Sequence, residues 1–132
     1  ADPTAKAIKA QGLQKIALLG TKATMSSSYL PELFANQHQL EIIVPNEEDQ
    51  DLIDRVIFQE LSYNQFTTES RDAYLNIIDR LSASGAQGII LGCTEIPLLV
   101  AQTDRPEVPM FDTLRLHARA AAVEALRGDS TI

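Results

Sequence analysis

The sequence contains one cysteine, Cys93, and it lies in the polar segment GCTEIP directly after a run of apolar residues. A thiol at the junction between a strand and a helix faces backbone N–H groups, which lower its pKa from about 8.5 and make a thiolate available as a base. A buried cysteine with a purely structural role is the competing interpretation. Thr94 and Glu95 are polar neighbours that favour the functional one. We therefore predict that Cys93 is a reactive thiol near neutral pH.

Two further polar turns follow apolar runs in the same way. The segment GTKATM brings the hydroxyl groups of Thr21 and Thr24 to the end of one run. Asp112 and Thr113 follow another run, with His117 four residues later. Hydroxyl and backbone N–H groups suit a carboxylate ligand, although Thr24 is equally suited to be the N-cap of the next helix.

The spacing of apolar residues predicts the elements that hold these turns. Short continuous apolar runs indicate strands that are buried on both faces. Three such runs and a weaker fourth lie at residues 16–19, 41–44, 88–91 and 108–111. Helical spacing dominates between them, which predicts right-handed crossovers. The sequence therefore predicts an α/β fold: one domain, residues 1–132, with a four-stranded parallel sheet flanked by helices on both faces.

The first helix and the acidic segment carry local signals for helix ends. Asp2 as N-cap and Gly12 as the stop bracket the first helix, with Pro3 at its first position. The acidic run between residues 47 and 54 follows Asn46, a favourable N-cap, and carboxylates in the first turns of a helix interact favourably with its dipole. This run therefore indicates a helix start rather than a cation site.

The composition excludes several classes of protein. With one cysteine and two histidines, His38 and His117, the chain can form neither a disulfide framework nor a four-ligand zinc site. The net charge of −7 disfavours nucleic acid. No apolar run approaches the ~20 residues of a membrane span, and no segment resembles a signal peptide. These features predict a cytoplasmic protein with a small-molecule partner.

Three segments together, GIILGCTEIPLL, LLGTKATM and FDTLRLHARAA, resemble the carboxyl-terminal half of the aspartate/glutamate racemase family. The resemblance extends over residues 2–128, and GCTEIP after a parallel strand is its most specific part. It implies an isomerase of amino-acid metabolism that uses no cofactor, neither pyridoxal phosphate nor a metal, and that acts on aspartate or glutamate. Two similar α/β halves face each other in this family. One thiolate removes the α-proton, and the opposite thiol delivers a proton to the other face.

The resemblance also implies roles for individual residues. Cys93 would be the second of the two catalytic cysteines. The substrate site would be formed by backbone N–H groups and side chains of the polar turns, and the histidine would be a hydrogen-bond partner there or, equally, a helix-packing residue. The implied substrate-binding residues are Thr94, Glu95, Thr21, Thr24 and His117.

The sequence departs from the family in one respect. The first cysteine, which belongs to a Cys-Asn-Thr motif in the other half, has no counterpart here. We therefore expect the chain to be part of a longer protein and inactive on its own, because one thiol cannot stand on both sides of one carbon. An isolated half would expose the apolar surface that normally meets the other half, which favours a homodimer.

Three alternatives stay open. Hydantoin racemases, arylmalonate decarboxylases and maleate isomerases of the same superfamily use related cysteines. A thiol hydrolase or glutaminase would pair Cys93 with His117 as base, but the sequence lacks the second glycine of a G-x-C-x-G elbow. A non-catalytic binding module would keep the amino-acid pocket without the chemistry.

Overall fold

A computed structural model describes the backbone of residues 2–130, with their side chains except at residues 2, 124 and 127–130. The strands are β1 (Lys15–Leu19), β2 (Glu41–Ile43), β3 (Gly88–Leu91) and β4 (Met110–Asp112). The helices are α1 (Asp2–Ala10), α2 (Lys22–Ser26), α3 (Tyr29–His38), α4 (Glu47–Gln59), α5 (Thr68–Ala83), α6 (Ile96–Leu99) and α7 (Thr113–Ser130). In this part of the chain, no helix combines the length and the apolar character that crossing a bilayer requires.

Local signals in the sequence account for helix ends. The side chain of Asn46 accepts a hydrogen bond from the N–H of Asp49 at 2.8 Å, so the predicted start of α4 at the acidic run is confirmed. Gly12 follows α1 with a φ of +73°, a conformation that glycine adopts readily. The side chain of Asp2, predicted to cap α1, lies outside the described residues.

All four strands run parallel, in the order β2-β1-β3-β4. Helices pack on both faces of the sheet, so the predicted α/β fold is confirmed. The weakest of the predicted strands, at residues 108–111, is displaced, because β4 begins only at Met110. The reason is local: the N–H of Val108 closes a turn onto the carbonyl of Arg105 at 3.0 Å and so leaves the sheet ladder.

Side chains of β3 alternate between two cores, one on each face of the sheet. Ile89 and Leu91 join the core that the sheet forms with α4 and α5, which includes the fully buried Tyr74. Ile90 joins the core that the sheet forms with α1 and α3, which includes Phe34. These faces are termed the α4–α5 side and the α1–α3 side below.

Candidate active site

The turns after β1, β3 and β4 lie together at one edge of the sheet. The N–H of Gly92, just after β3, donates to the carbonyl of Leu19 at the end of β1 at 2.8 Å. The hydroxyl of Thr113, just after β4, donates to the carbonyl of Leu91 at 3.3 Å. Because parallel strands bring their carboxyl ends to the same edge, the polar segments that contain Thr21, Cys93 and Asp112 are neighbours there.

Cys93 is half-buried, and its thiol is hydrogen-bonded. It follows Gly92 in the turn after β3 and packs against the core on the α4–α5 side. Its Sγ donates to Oε2 of Glu95 at 3.0 Å. The thiol and the carboxylate therefore form a pair within a single turn of the chain.

The environment of Cys93 raises the pKa of its thiol. Burial is the largest cause, and the hydrogen bond and negative charge of Glu95 act in the same direction. The backbone N–H groups of Glu95 and Ile96 oppose this effect but are outweighed. The predicted lowering of the thiol pKa is therefore wrong: the helix that follows, α6, has only four residues and begins three positions after the cysteine.

Glu95 stays ionised beside the thiol. The hydrogen bond from Cys93 is the largest cause that holds the pKa of this carboxyl below its usual value, and the hydroxyl of Thr94 contributes the next largest. Thr94 itself is exposed at the edge of the sheet. The GCTE segment thus presents a protonated thiol, a carboxylate and a hydroxyl to the same region.

The turn after β1 forms the short helix α2, and Thr21 is its N-cap. The hydroxyl oxygen of Thr21 accepts from the N–H of Thr24 at 3.3 Å, and the two hydroxyl oxygens lie 3.1 Å apart. Thr24 is therefore inside a helix rather than the cap of the next one. Two hydroxyl groups consequently sit side by side at the site edge.

Carboxylates of α4 hold this turn in place. Asp54 accepts a hydrogen bond from the backbone N–H of Lys22 at 2.7 Å. The ammonium group of Lys22 pairs with Asp51 and, at 3.8 Å, with Glu47. Asp51 and Asp54 were read only as part of a helix start. Their spacing of three residues on one helix face is a signal, but it acquires meaning only once α4 is known to lie beside the turn.

The segment after β4 contributes a different set of groups. Asp112 accepts from the N–H of Arg115 at 3.2 Å and so caps the first turn of α7. His117 is exposed on α7. Together with Thr24, Gly92 and Thr113 it borders a cavity on the α1–α3 side of the sheet. The predicted histidine is therefore near the threonines, whereas Cys93 packs toward the opposite side.

The arrangement provides one acid/base group and several neutral hydrogen-bond donors. The acid/base group is the thiol of Cys93 with its carboxylate partner. Hydroxyl groups come from the turns after β1, β3 and β4. Within residues 2–130, no three His, Cys, Asp or Glu side chains are grouped so that they could hold a metal ion. This set of groups is suited to proton transfer on a small anionic molecule.

Sequence comparison gives two matches. The family model described as Asp/Glu/Hydantoin racemase matches residues 1–121. An uncharacterised protein from the pnlA 3′ region of Pectobacterium carotovorum subsp. carotovorum is 30% identical over 105 residues, which are 79% of this chain and 67% of the relative.

Solved structures resemble the chain over nearly all of its length. A candidate Asp/Glu racemase from Yersinia pestis is 47% identical with a TM-score of 0.89, over 96% of this chain and 54% of that one. An aspartate racemase homologue from Pyrococcus horikoshii OT3 is 34% identical with a TM-score of 0.86, over 94% and 54%. Aspartate racemase from Picrophilus torridus is 26% identical with a TM-score of 0.65, over 84% and 45%. The chain spans about half the length of these structures.

Proposed function

The chain belongs to the Asp/Glu/hydantoin racemase family, and on this premise we propose that it supplies one half of the active site of a cofactor-independent racemase of aspartate or glutamate. The proposed catalytic residue is Cys93, which inverts the α-carbon together with a second thiol from another half. The proposed substrate-binding residues are Thr94, Glu95, Thr21, Thr24 and His117.

The hydrogen bond from Cys93 to Glu95 is the observation that carries this proposal. A thiol with a raised pKa is protonated at neutral pH, so Cys93 rests as an acid rather than as a base. The base of the first proton transfer is then a group on the opposite face of the substrate. Glu95 acts as a positioning residue that orients the thiol and keeps it protonated.

Inversion requires one proton to leave the α-carbon and another to arrive. The opposite base takes the α-proton, and the electron pair of the broken C–H bond spreads onto the α-carboxylate. Cys93 donates its S–H proton to the other face of the carbon and becomes a thiolate. In the reverse direction, the Cys93 thiolate removes the proton from that same face.

The turn after β1 is suited to the α-carboxylate of the substrate. Thr21 and Thr24 have hydroxyl oxygens 3.1 Å apart, and one hydrogen bond between them leaves the other O–H to donate to a ligand. The ammonium group of Lys22 is paired with Asp51, so neutral donors rather than a fixed positive charge would hold the carboxylate. Such donors stabilise the charge that develops on the carboxylate during proton removal.

The proposed chemistry needs a second half, because Cys93 is the one thiol of this chain. The solved relatives are long enough to contain one, since the matched part is 54% of their chains. Helix α7 presents apolar side chains to solvent, with Leu114 58%, Val123 50% and Leu126 69% exposed. Another half, or a second copy of this chain, would cover that surface.

Exchange of the α-proton in deuterium oxide tests the proposal. A longer form that carries both halves should remove the α-proton NMR signal of L-aspartate or L-glutamate and racemise it, whereas the 132-residue chain alone should do neither. Cys93→Ala should abolish exchange. Cys93→Ser should be nearly as damaging, because a hydroxyl is a far weaker acid than a thiol.

Glu95→Gln should slow exchange, and Glu48→Gln, which removes an exposed carboxylate of α4, is its matched control. Binding of these amino acids without exchange would indicate a binding module, and activity confined to hydantoins or arylmalonates would indicate a sibling enzyme. Racemisation by the 132-residue chain at a rate per molecule that does not depend on its concentration would contradict the two-thiol mechanism. A rate that rises with concentration would reveal a dimer that pairs two copies of Cys93.

A further inference from the structure

A cavity of about 200 Å³ lies on the α1–α3 side of the sheet, beneath the site edge. Its body is apolar and is formed by side chains of β1, α3, β2 and β3. These side chains are Leu18, Leu30, Phe34, Ile42 and Ile90. An apolar cavity of about 150 Å³ is enough to bind benzene, so this one has room for a molecule of similar or slightly larger size.

Thr4 places a polar group in the wall of this cavity. The residue is 1% exposed, and its hydroxyl has no hydrogen-bond partner among the residues with described positions. The other threonine hydroxyls of the wall are already engaged: Thr24 with Thr21, and Thr113 with the carbonyl of Leu91. A buried hydroxyl without a partner is destabilising, and a ligand with a hydrogen-bonding group would relieve that cost.

The charge of the cavity wall restricts the ligand further. No carboxylate, lysine or arginine borders the cavity, and His117 at its rim is the one titratable group among the lining residues. A charged ligand would have to give up its hydration without a partner charge. The occupant that fits is therefore uncharged and mainly apolar.

The cavity lies on the opposite side of the sheet from the proposed catalytic thiol. Alternation along β3 directs Ile90 toward the cavity, whereas Ile89 and Leu91 point to the α4–α5 side, where Cys93 also packs. Gly92 is the point of contact, because it borders the cavity and directly precedes the cysteine. A ligand in the cavity would thus touch the backbone of the catalytic turn without reaching the thiol.

We propose that this cavity is a binding site for a compact, uncharged, mainly apolar molecule with one hydroxyl or carbonyl group, which pairs with the hydroxyl of Thr4. The site is separate from that of the amino-acid substrate, and its existence does not depend on the proposed racemase function.

Phenol and toluene are suitable probes, because they have the same shape and differ in one hydroxyl group. Phenol should bind to the 132-residue chain with a dissociation constant on the order of millimolar. Its binding should shift the methyl NMR signals of Leu30, Ile42 and Ile90, and leave those of Ile57 and Leu75 on the other side unchanged.

Variants of Thr4 then test the hydrogen bond. Thr4→Val replaces the hydroxyl by a methyl group, so it should weaken phenol binding about 2- to 10-fold and leave toluene binding unchanged. Thr4→Ser keeps the hydroxyl and should preserve the difference between the two probes. Equal phenol affinity in Thr4→Val, methyl shifts on the α4–α5 side, or no saturable binding up to the solubility of phenol would each overturn the proposal. The last result would indicate a cavity that holds only water.

Discussion

The two sides of the sheet meet the same edge with different degrees of packing. On the α4–α5 side, the buried hydroxyl of Tyr74 donates to the carbonyl of Ile53 at 2.7 Å, and Cys93 is packed and hydrogen-bonded. On the α1–α3 side, the buried hydroxyl of Thr4 has no partner, and a cavity separates the helices from the strands. The satisfied side holds the proposed acid/base group, and the unsatisfied side has room for a ligand.

The largest effect is expected where the two sides touch, at Gly92. A Cβ there would lie 3.0 Å from the carbonyl oxygen of Leu19 and 3.2 Å from the side chain of Leu18, so Gly92→Ala forces backbone or core atoms apart. Overpacking of this kind should lower the free energy of unfolding by about 1–3 kcal/mol. Gly20→Ala is the matched control, because its Cβ would meet only the side chain of Thr24, at 3.4 Å. Denaturant unfolding checks both, and equal losses would contradict the argument.

Removal of the tyrosine hydroxyl should be the next largest effect. Tyr74→Phe leaves the buried carbonyl of Ile53 without its donor, so the free energy of unfolding should fall by about 1–2 kcal/mol. Tyr63→Phe, which changes a tyrosine that is 72% exposed, should have no measurable effect. An unchanged midpoint for Tyr74→Phe would show that the α4–α5 side is less tightly satisfied than its contacts indicate.

Removal of the threonine hydroxyl should act in the opposite direction. Thr4→Val deletes a buried polar group that has no described partner, so the free energy of unfolding should rise by about 1 kcal/mol. The comparison with Tyr74→Phe is direct, because each change deletes one buried hydroxyl. A loss of stability in Thr4→Val would mean that the hydroxyl is satisfied in solution, and would remove the difference between the two sides.

The smallest effect on stability is expected from the titration of Cys93. Because burial and Glu95 raise the pKa of this thiol, its alkylation by iodoacetamide should have a midpoint above the ~8.5 of a free thiol. Glu95→Gln removes the negative charge and should lower that midpoint, whereas Glu48→Gln should not. The unfolded chain loses its thiol proton first, so the free energy of unfolding should fall as the pH rises from about 8.5 through the folded pKa. A midpoint at or below 8.5 would restore the interpretation of a thiolate stabilised by backbone N–H groups.

The elements that depend on neighbouring residues in the chain are the ones that the sequence predicted well. The runs at 16–19 and 88–91 are continuously apolar because both faces of the sheet are covered. Helix α2 was missed, since its five residues carry no periodicity and its start is set by the Thr21 cap. The identity of Cys93 as the residue to examine could be read from its position after β3.

Properties that depend on how distant elements pack could not be read in the same way. The pKa of Cys93 was mispredicted because its largest cause is burial, which depends on how the α4–α5 side packs around the turn. Thr4 looks like an ordinary helical residue in the sequence. Its burial follows from where α1 crosses the sheet, which no local pattern reports.

The fastening of the turn after β1 makes the proposed carboxylate site tolerant of ionic strength. The ammonium group of Lys22 has a side chain that is 38% exposed, so added salt should screen its attraction to Asp51 and Glu47. The backbone of the same residue is held independently, by the 2.7 Å hydrogen bond from its N–H to Asp54. Concentrated salt can therefore release the lysine side chain while the threonine hydroxyl groups of the turn keep their positions.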